Sequence, residues 1–365
     1  MKEKLNGLDA VRALACLAIF TFHCHLNRLG PWAVSVFFIL SGFLLVYNYL
    51  NRELPEKLSF RYCFDFSIKR VKKLYPLHII CLCVTLLFVI VMRRFSMSAD
   101  QWRFNLLSFF ASAALVQSWV PDQEFAMNLN GVAWYLSDLL FLYMCFPLIL
   151  RGVKKYSSKG RVLLGMALII AVMLGAGAGA MAAYDAKHGI GAATENGFDM
   201  WAAYILPLYR LGDFALGCHL GWLFLNRREA KPSVGKGTVL EILALGVNIF
   251  AYWVFCTDEL PKWFCNTALY LIPAALFIYV FALDSGYISK LMHNKPVVFI
   301  STLSSEIFLI HQVVINIGTA AVNMLPIPLM AMKVLGLSGI CIMTLLLSWL
   351  YSKYWGTMRR GKKSA

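Results

Sequence analysis

Eleven apolar stretches follow one another along this chain, near residues 8–27, 32–50, 74–92, 104–120, 131–150, 162–184, 201–225, 238–256, 264–283, 297–322 and 329–351. Most reach the roughly 20 residues a helix needs to cross a bilayer. Hydrophobic residues make up 60% of the chain and charged residues 15%, where a soluble chain carries about 25% charged. Too little polar surface remains to cover a water-soluble globule. The sequence therefore predicts an all-α polytopic membrane protein. The same numbers exclude disorder, a collagen, a secreted disulfide scaffold and a nucleic-acid-binding domain.

The formal net charge is +15, and its distribution is informative. Twenty-five Lys and Arg residues fall at the N-terminus, in 51–73, 151–161, 226–237 and 284–296, and after 351, against six in the other connections. All 25 share one side only if the short, serine-containing stretch 104–120 does not cross. The positive-inside rule then predicts ten full spans, both termini cytoplasmic, and 104–130 as a re-entrant or outer-face segment. Residues 1–351 read as a single transmembrane domain and 352–365 as a short basic cytoplasmic tail, unstructured in appearance and with no hydrolase-like domain after it. The first stretch exceeds the apolar core of a cleaved signal peptide. Gly175 and Gly179 offer the small-xxx-small spacing that lets membrane helices approach closely. Ten cysteines are scattered without a C-x-x-C pair, and Cys256 and Cys265 are placed to bridge if their loop lies outside the cell.

Ionisable groups at bilayer depth are costly, so each is a functional candidate. Arg12 and His23 lie on the first span, Asp138 on the fifth, Arg210 and Asp213 on the seventh, and Glu306 and His311 on the tenth, while Ser41 and Gly42 interrupt the second. Arg210 and Asp213, at i,i+3, can offset each other's desolvation. Ser304 and His311 share a helix face. A histidine takes a proton from a hydroxyl near neutral pH, which makes His23 and His311 candidates for a general base. His23 and His25 point about 200° apart on a helix, so they do not easily chelate one metal ion. No G-x-S-x-G elbow is present for a serine nucleophile. The run Lys69-Arg70-Val71-Lys72-Lys73 is either a headgroup anchor or a phosphate clamp for an anionic cosubstrate.

Several ordered motifs resemble the membrane acyltransferase-3 family, whose members O-acylate glycans. The opening Leu8-Asp9-Ala10-Val11-Arg12-Ala13-Leu14 is similar to the family's start, and His23 stands at the position of its essential histidine. Phe37-Phe38-Ile39-Leu40-Ser41-Gly42-Phe43 resembles its FFxLSG segment, and Arg70 with Lys73 before Leu74-Tyr75-Pro76 resembles its R-x-x-R pair. Trp134-Tyr135-Leu136-Ser137 through Pro147, Arg210-Leu211-Gly212-Asp213-Phe214 with Gly217, and Leu303 through His311 resemble three further motifs. The departures are Lys73 for the second arginine, Asp213 for a glutamate, His78 where a tyrosine often follows the proline, and Ser305 and Phe308 where tyrosines are common. They concern the acceptor more than the chemistry.

The resemblance implies an integral-membrane O-acyltransferase in a bacterial cytoplasmic membrane. The acyl group, most simply acetyl, would pass from cytoplasmic acyl-CoA to a hydroxyl of an exported glycan or lipid-linked saccharide, with succinyl transfer to a glucan as a sister reaction. Acyl-CoA is a cosubstrate here, with no permanently bound cofactor or metal. The expected roles are His23 as base or acyl carrier, with Glu306 and His311 beside it in the catalytic set. Arg12, Arg70 and Lys73 would bind CoA phosphates, and Ser41, Arg210, Asp213 and Trp134 would be substrate-facing or structural. Two other readings stay open. A ten-span transporter or flippase would show inverted repeats, which the sequence lacks. A different membrane O-acyltransferase fold would make His311 essential and His23 dispensable.

Overall fold

The computed structural model describes residues 5–93, 96–227, 230–324 and 329–361, the side chains of 329–333 and 355–361 excepted. Lys2, Lys4, Arg94, Arg228, Lys362 and Lys363, which enter the charge count, lie outside the described residues. Those described are helical throughout, with no strand among them. The long helices are α1 Gly7–His23, α2 Gly30–Tyr49, α3 Phe60–Val71, α4 Tyr75–Met92, α5 Ala99–Ala113, α6 Trp134–Val153, α7 Lys159–His188, α8 Pro207–Leu225, α9 Val234–Cys256, α10 Leu271–Leu283, α11 Lys295–Val322 and α12 Leu329–Gly361.

Among the described residues, eight helical segments are long and apolar enough to cross a membrane: α2, α4, α6, α7, α9, Lys262–Leu283 (which contains α10), α11 and Val334–Tyr354 of α12. Burial sorts them. In α2 and in Lys262–Leu283, 78% of the most apolar window is buried, against 17% in α7 and 22% in α9. The exposed faces of α7 and α9 carry Leu164, Leu168, Val172, Ile242, Ile249 and Phe250, an apolar coat that suits lipid. The two further spans read from the sequence are α1 and α8, of 17 and 19 residues. Both carry charged residues and both pack in the centre, where neighbouring helices face their polar groups.

α5 is about 22 Å long at 1.5 Å per residue, too short to cross. Its last carbonyls are met near the start of α4, where the Tyr75 hydroxyl donates to the Ala113 oxygen at 2.8 Å and His78 Nε2 lies 2.9 Å from the Ser112 oxygen. The chain then turns through Leu115, at φ 58°, and runs back along α5. Asn128 Nδ2 donates to Asn105 Oδ1 at 3.0 Å and to Ser108 Oγ at 2.6 Å. The stretch 104–130 is thus a short helix and a chain that doubles back along it, with Asn105, Ser108 and Asn128 bonded to one another.

The tightest contact joins α2 to α8. A side-chain carbon on Gly42 would strike the Phe214 carbonyl oxygen, and one on Gly217 would lie 2.7 Å from the Ile39 carbonyl carbon. Backbone meets backbone here, so only glycine fits. The reading of Gly175 and Gly179 as a packing motif is corrected: both face open space, and Gly177 between them packs on the Trp263 ring. Three intervening residues put Gly175 and Gly179 on a face of α7 that no described helix covers. Cys256 and Cys265 are both free, the former exposed and the latter buried. The tail is corrected as well, because α12 continues to Gly361 with no proline to stop it.

Gly217→Val is expected to cost about 3 kcal/mol, since the added carbons overpack against fixed backbone. Gly179→Val should leave stability unchanged. Thermal unfolding of the two variants in detergent checks both.

Candidate active site

α1 and α11 pack along each other and bring together residues almost 300 positions apart. Near one end the Ser301 hydroxyl donates to Asp9 Oδ1 at 2.7 Å, and Cys16 Sγ packs on the Ser304 oxygen at 3.9 Å. At the other end His23, the last residue of α1, meets His311. Their ring centroids lie 5.0 Å apart at 53°. Phe20 and Phe308 border His311 at 6.3 and 6.0 Å, and Phe22 abuts His23 at 5.1 Å.

His311 is fully buried, His23 partly exposed. His311 Nδ1 sits 3.0 Å from the Ile307 carbonyl oxygen. A carbonyl only accepts, so Nδ1 carries the proton and Nε2 keeps its lone pair. That Nε2 has no hydrogen-bond partner among the described residues. The pair therefore presents an anchored imidazole with a free basic nitrogen beside a second imidazole open to its surroundings.

A cavity of about 280 Å³ lies toward the N-terminal end of α1, lined by Arg12, Ser41, Tyr135, Tyr143, Ser304 and Phe308 among others. Arg12 forms no ion pair with a described residue, and the Tyr135 and Tyr143 side chains line the same cavity. Ser41 Oγ donates to the Phe37 oxygen at 2.7 Å, a back-bond that leaves the hydroxyl oxygen free to accept. Eleven residues separate Arg12 from His23, about 16 Å along α1. The site thus has a cationic end and an imidazole end.

The basic run divides. Lys73, half exposed, reaches Glu306 Oε1 at 3.6 Å, while the Glu306 side chain is only 3% exposed. Glu306 therefore meets Lys73, and no contact joins it to His23 among the described residues. Arg70 Nη1 donates to the Phe66 oxygen at 2.7 Å, and its guanidinium lies over the Phe66 ring at 3.3 Å and the Tyr49 ring at 4.9 Å.

Arg210 and Asp213 form a separate cluster. A π-helical turn at Trp201–Ile205 precedes α8 and leaves the Tyr204 carbonyl for Arg210 Nε, which donates to it at 2.8 Å. Arg210 Nη1 donates to Asp213 Oδ2 at 3.2 Å and to Ser35 Oγ at 3.3 Å. The guanidinium lies between the Phe38 and Tyr204 rings, 5.2 and 4.6 Å away. Arg210 and Asp213 are fully buried, and Asp138 of α6 is buried beside them and Ser118. Trp134 packs its ring on Phe38 and Tyr204. None of these four lines the cavity.

Of the residues chosen from sequence, His23 and His311 converge, Arg12 and Ser41 face the cavity, and Lys73 and Glu306 pair near it. Tyr135, Tyr143 and Phe308 were missed. Tyr135, Leu139 and Tyr143 recur at i, i+4 and i+8 on α6, a polar-aromatic face that spacing alone could have flagged.

The acyltransferase domain of the acyltransferase-3 family matches residues 5–353. The chain belongs to this family. The family is one of acyltransferases, which sets the transporter reading aside. Among named relatives, the chain is 25% identical over 335 residues to the acyltransferase MdmB of Streptomyces mycarofaciens, covering 86% of this chain and 80% of MdmB. It is also 25% identical over 324 residues to the O-acetyltransferase OatA of Staphylococcus aureus (strain NCTC 8325 / PS 47), covering 85% of this chain. YrhL of Bacillus subtilis (strain 168) matches at 26% over 337 residues, covering 86% of this chain. The match spans only about half the length of OatA and of YrhL, at 50% and 49%. No solved structure matches the chain significantly.

Removing one partner of the Arg210–Asp213 pair leaves a buried charge unpaired, which costs about 3–5 kcal/mol. Arg210→Ala is therefore expected to destabilise strongly, and Arg210→Met with Asp213→Leu to recover most of the loss. Thermal unfolding of the three proteins in detergent checks this.

Proposed function

We propose that this acyltransferase moves an acetyl group from acyl-CoA, entering at the basic end, to a hydroxyl of an exported glycan or lipid-linked saccharide at the far end. The observation that carries the reading is the placement of Arg12 in a cavity on one side of the bundle and the His23–His311 pair about 16 Å along the same helix. One end suits phosphates, and the other suits proton transfer. OatA bears the name of an O-acetyltransferase, which supports acetyl as the group moved.

In this reading the basic end faces the cytoplasm of a bacterial cell, which follows the positive-inside reading of the 25 loop Lys and Arg residues. Arg12 holds CoA phosphate or pyrophosphate oxygens, with Lys73 and Arg70 at the rim. Lys73 keeps Glu306 paired until phosphate draws it away. The acceptor hydroxyl attacks the thioester carbonyl carbon, the new C–O bond forms, and the C–S bond breaks. His23 takes the hydroxyl proton and returns it to the departing thiolate. His311, its Nδ1 proton fixed on Ile307, positions His23 from the buried side. Arg210, Asp213 and Trp134 act by holding α2, α6 and α8 together rather than by touching substrate.

Purified protein given labelled acetyl-CoA and a membrane glycan extract should move label into glycan, and His23→Ala should not, at an unchanged protein level. Retained transfer by His23→Ala would overturn its role. Arg12→Gln should raise KM for acetyl-CoA about tenfold, the effect of removing one charge-assisted hydrogen bond to phosphate, with kcat little changed. Initial rates across donor concentration check it.

A further inference from the structure

The donor cavity and the histidine pair are not continuous. The cavity wall includes Phe37, Tyr135 and Phe308, and neither His23 nor His311 lines it. The three rings touch: Phe308 lies 4.9 Å from Tyr135 and 6.2 Å from Phe37, and Phe37 and Tyr135 are 6.4 Å apart. On its other side Phe308 is 6.0 Å from His311. Ser304, Phe308 and His311 follow one another along one face of α11, and His311 is only about 4.5 Å of helix rise beyond Phe308. A single ring therefore separates the space where a thioester can lie from the space where a hydroxyl meets an imidazole.

We infer that Phe308 is a gate that swings aside to admit the acyl group to the histidine pair and limits the length of acyl group that passes. This rests on the acyl-transfer function proposed above. A helical phenylalanine has two open χ1 rotamers, near 180° and −60°, so one bond rotation moves the ring without disturbing α11. Phe37 comes from α2, which the Arg210–Ser35 bond and the Gly42–Gly217 contact tie to α8, and Tyr135 comes from α6. Of the three rings, Phe308 is the one that also borders His311, so its rotation is the one that would join the two spaces. Closed, the ring also keeps water at the histidine pair from the thioester. Without it, a water oxygen would bond the acyl carbon, the C–S bond would break, and the water proton would pass through His23 to the thiolate, giving free acid and CoA.

The test compares acetyl-, propionyl- and butyryl-CoA as donors for wild type and Phe308→Ala, following CoA release with and without a glycan extract. Phe308→Ala is expected to shift the butyryl-to-acetyl rate ratio upward by about tenfold or more, the size of a methylene's effect in an apolar pocket. It should also raise CoA release without acceptor. Phe308→Leu, which keeps the helix packed, should shift both readouts the same way by less, and it decides the matter if the alanine variant does not fold. A folded variant whose donor preference and acceptor-free release match wild type would overturn the gate. Wild type that releases no CoA from any donor would overturn the function itself, which is a different result from an unshifted variant.

Discussion

A buried polar group in this bundle has no water to turn to, so it must find its partner within the protein. The Arg210 cluster meets much of that demand at the centre, though Arg210 Nη2, Asp213 Oδ1 and both Asp138 oxygens have no hydrogen-bond partner among the described residues. One guanidinium is shared among the Tyr204 carbonyl, Ser35 and Asp213 and held between two rings. It links α8 to α2 about two helical turns from where Gly42 and Gly217 let the two backbones touch. Everything that forms the candidate site is built outward from this pair. α2 then presents Phe37 and Ser41 to one side, α6 brings Tyr135 and Tyr143, and α1 with α11 closes the cavity.

Much of the fold was legible in the sequence because the bilayer demands long apolar runs, and long apolar runs are easy to see. Loop charge pointed to 104–130 as a segment that does not cross, and that stretch is a short helix followed by a return with internal hydrogen bonds. The helical end of α12 was not, because a basic, polar segment reads as a tail although nothing in it breaks a helix. Gly175 and Gly179 misled for a related reason: spacing shows which residues share a face, not whether another helix covers it.

The site divides in the same way. His23, His311 and Arg12 stood out because ionisable groups are rare inside a membrane. Their grouping into a histidine pair and a separate cavity depends on how α1 lies against α11, which no local pattern contains. Glu306 and Arg210 stood out equally well, yet one is turned toward Lys73 and the other is enclosed in the core. Rarity marks both structural and chemical charges, and only packing separates them. Phe308 and Tyr135 were noted only within motifs and Tyr143 not at all, and their place at the cavity comes only from what they stand between.

The central claim is a division of labour, with donor recognition at the Arg12 end and bond making at the His23–His311 pair. The KM and kcat of His311→Gln for acetyl-CoA test it most directly. A positioning role beside the base predicts that kcat falls by about a hundredfold, the lower range for a disabled general base, while KM for acetyl-CoA stays at the wild-type value. A raised KM at unchanged kcat would instead place His311 in donor binding and contradict the division.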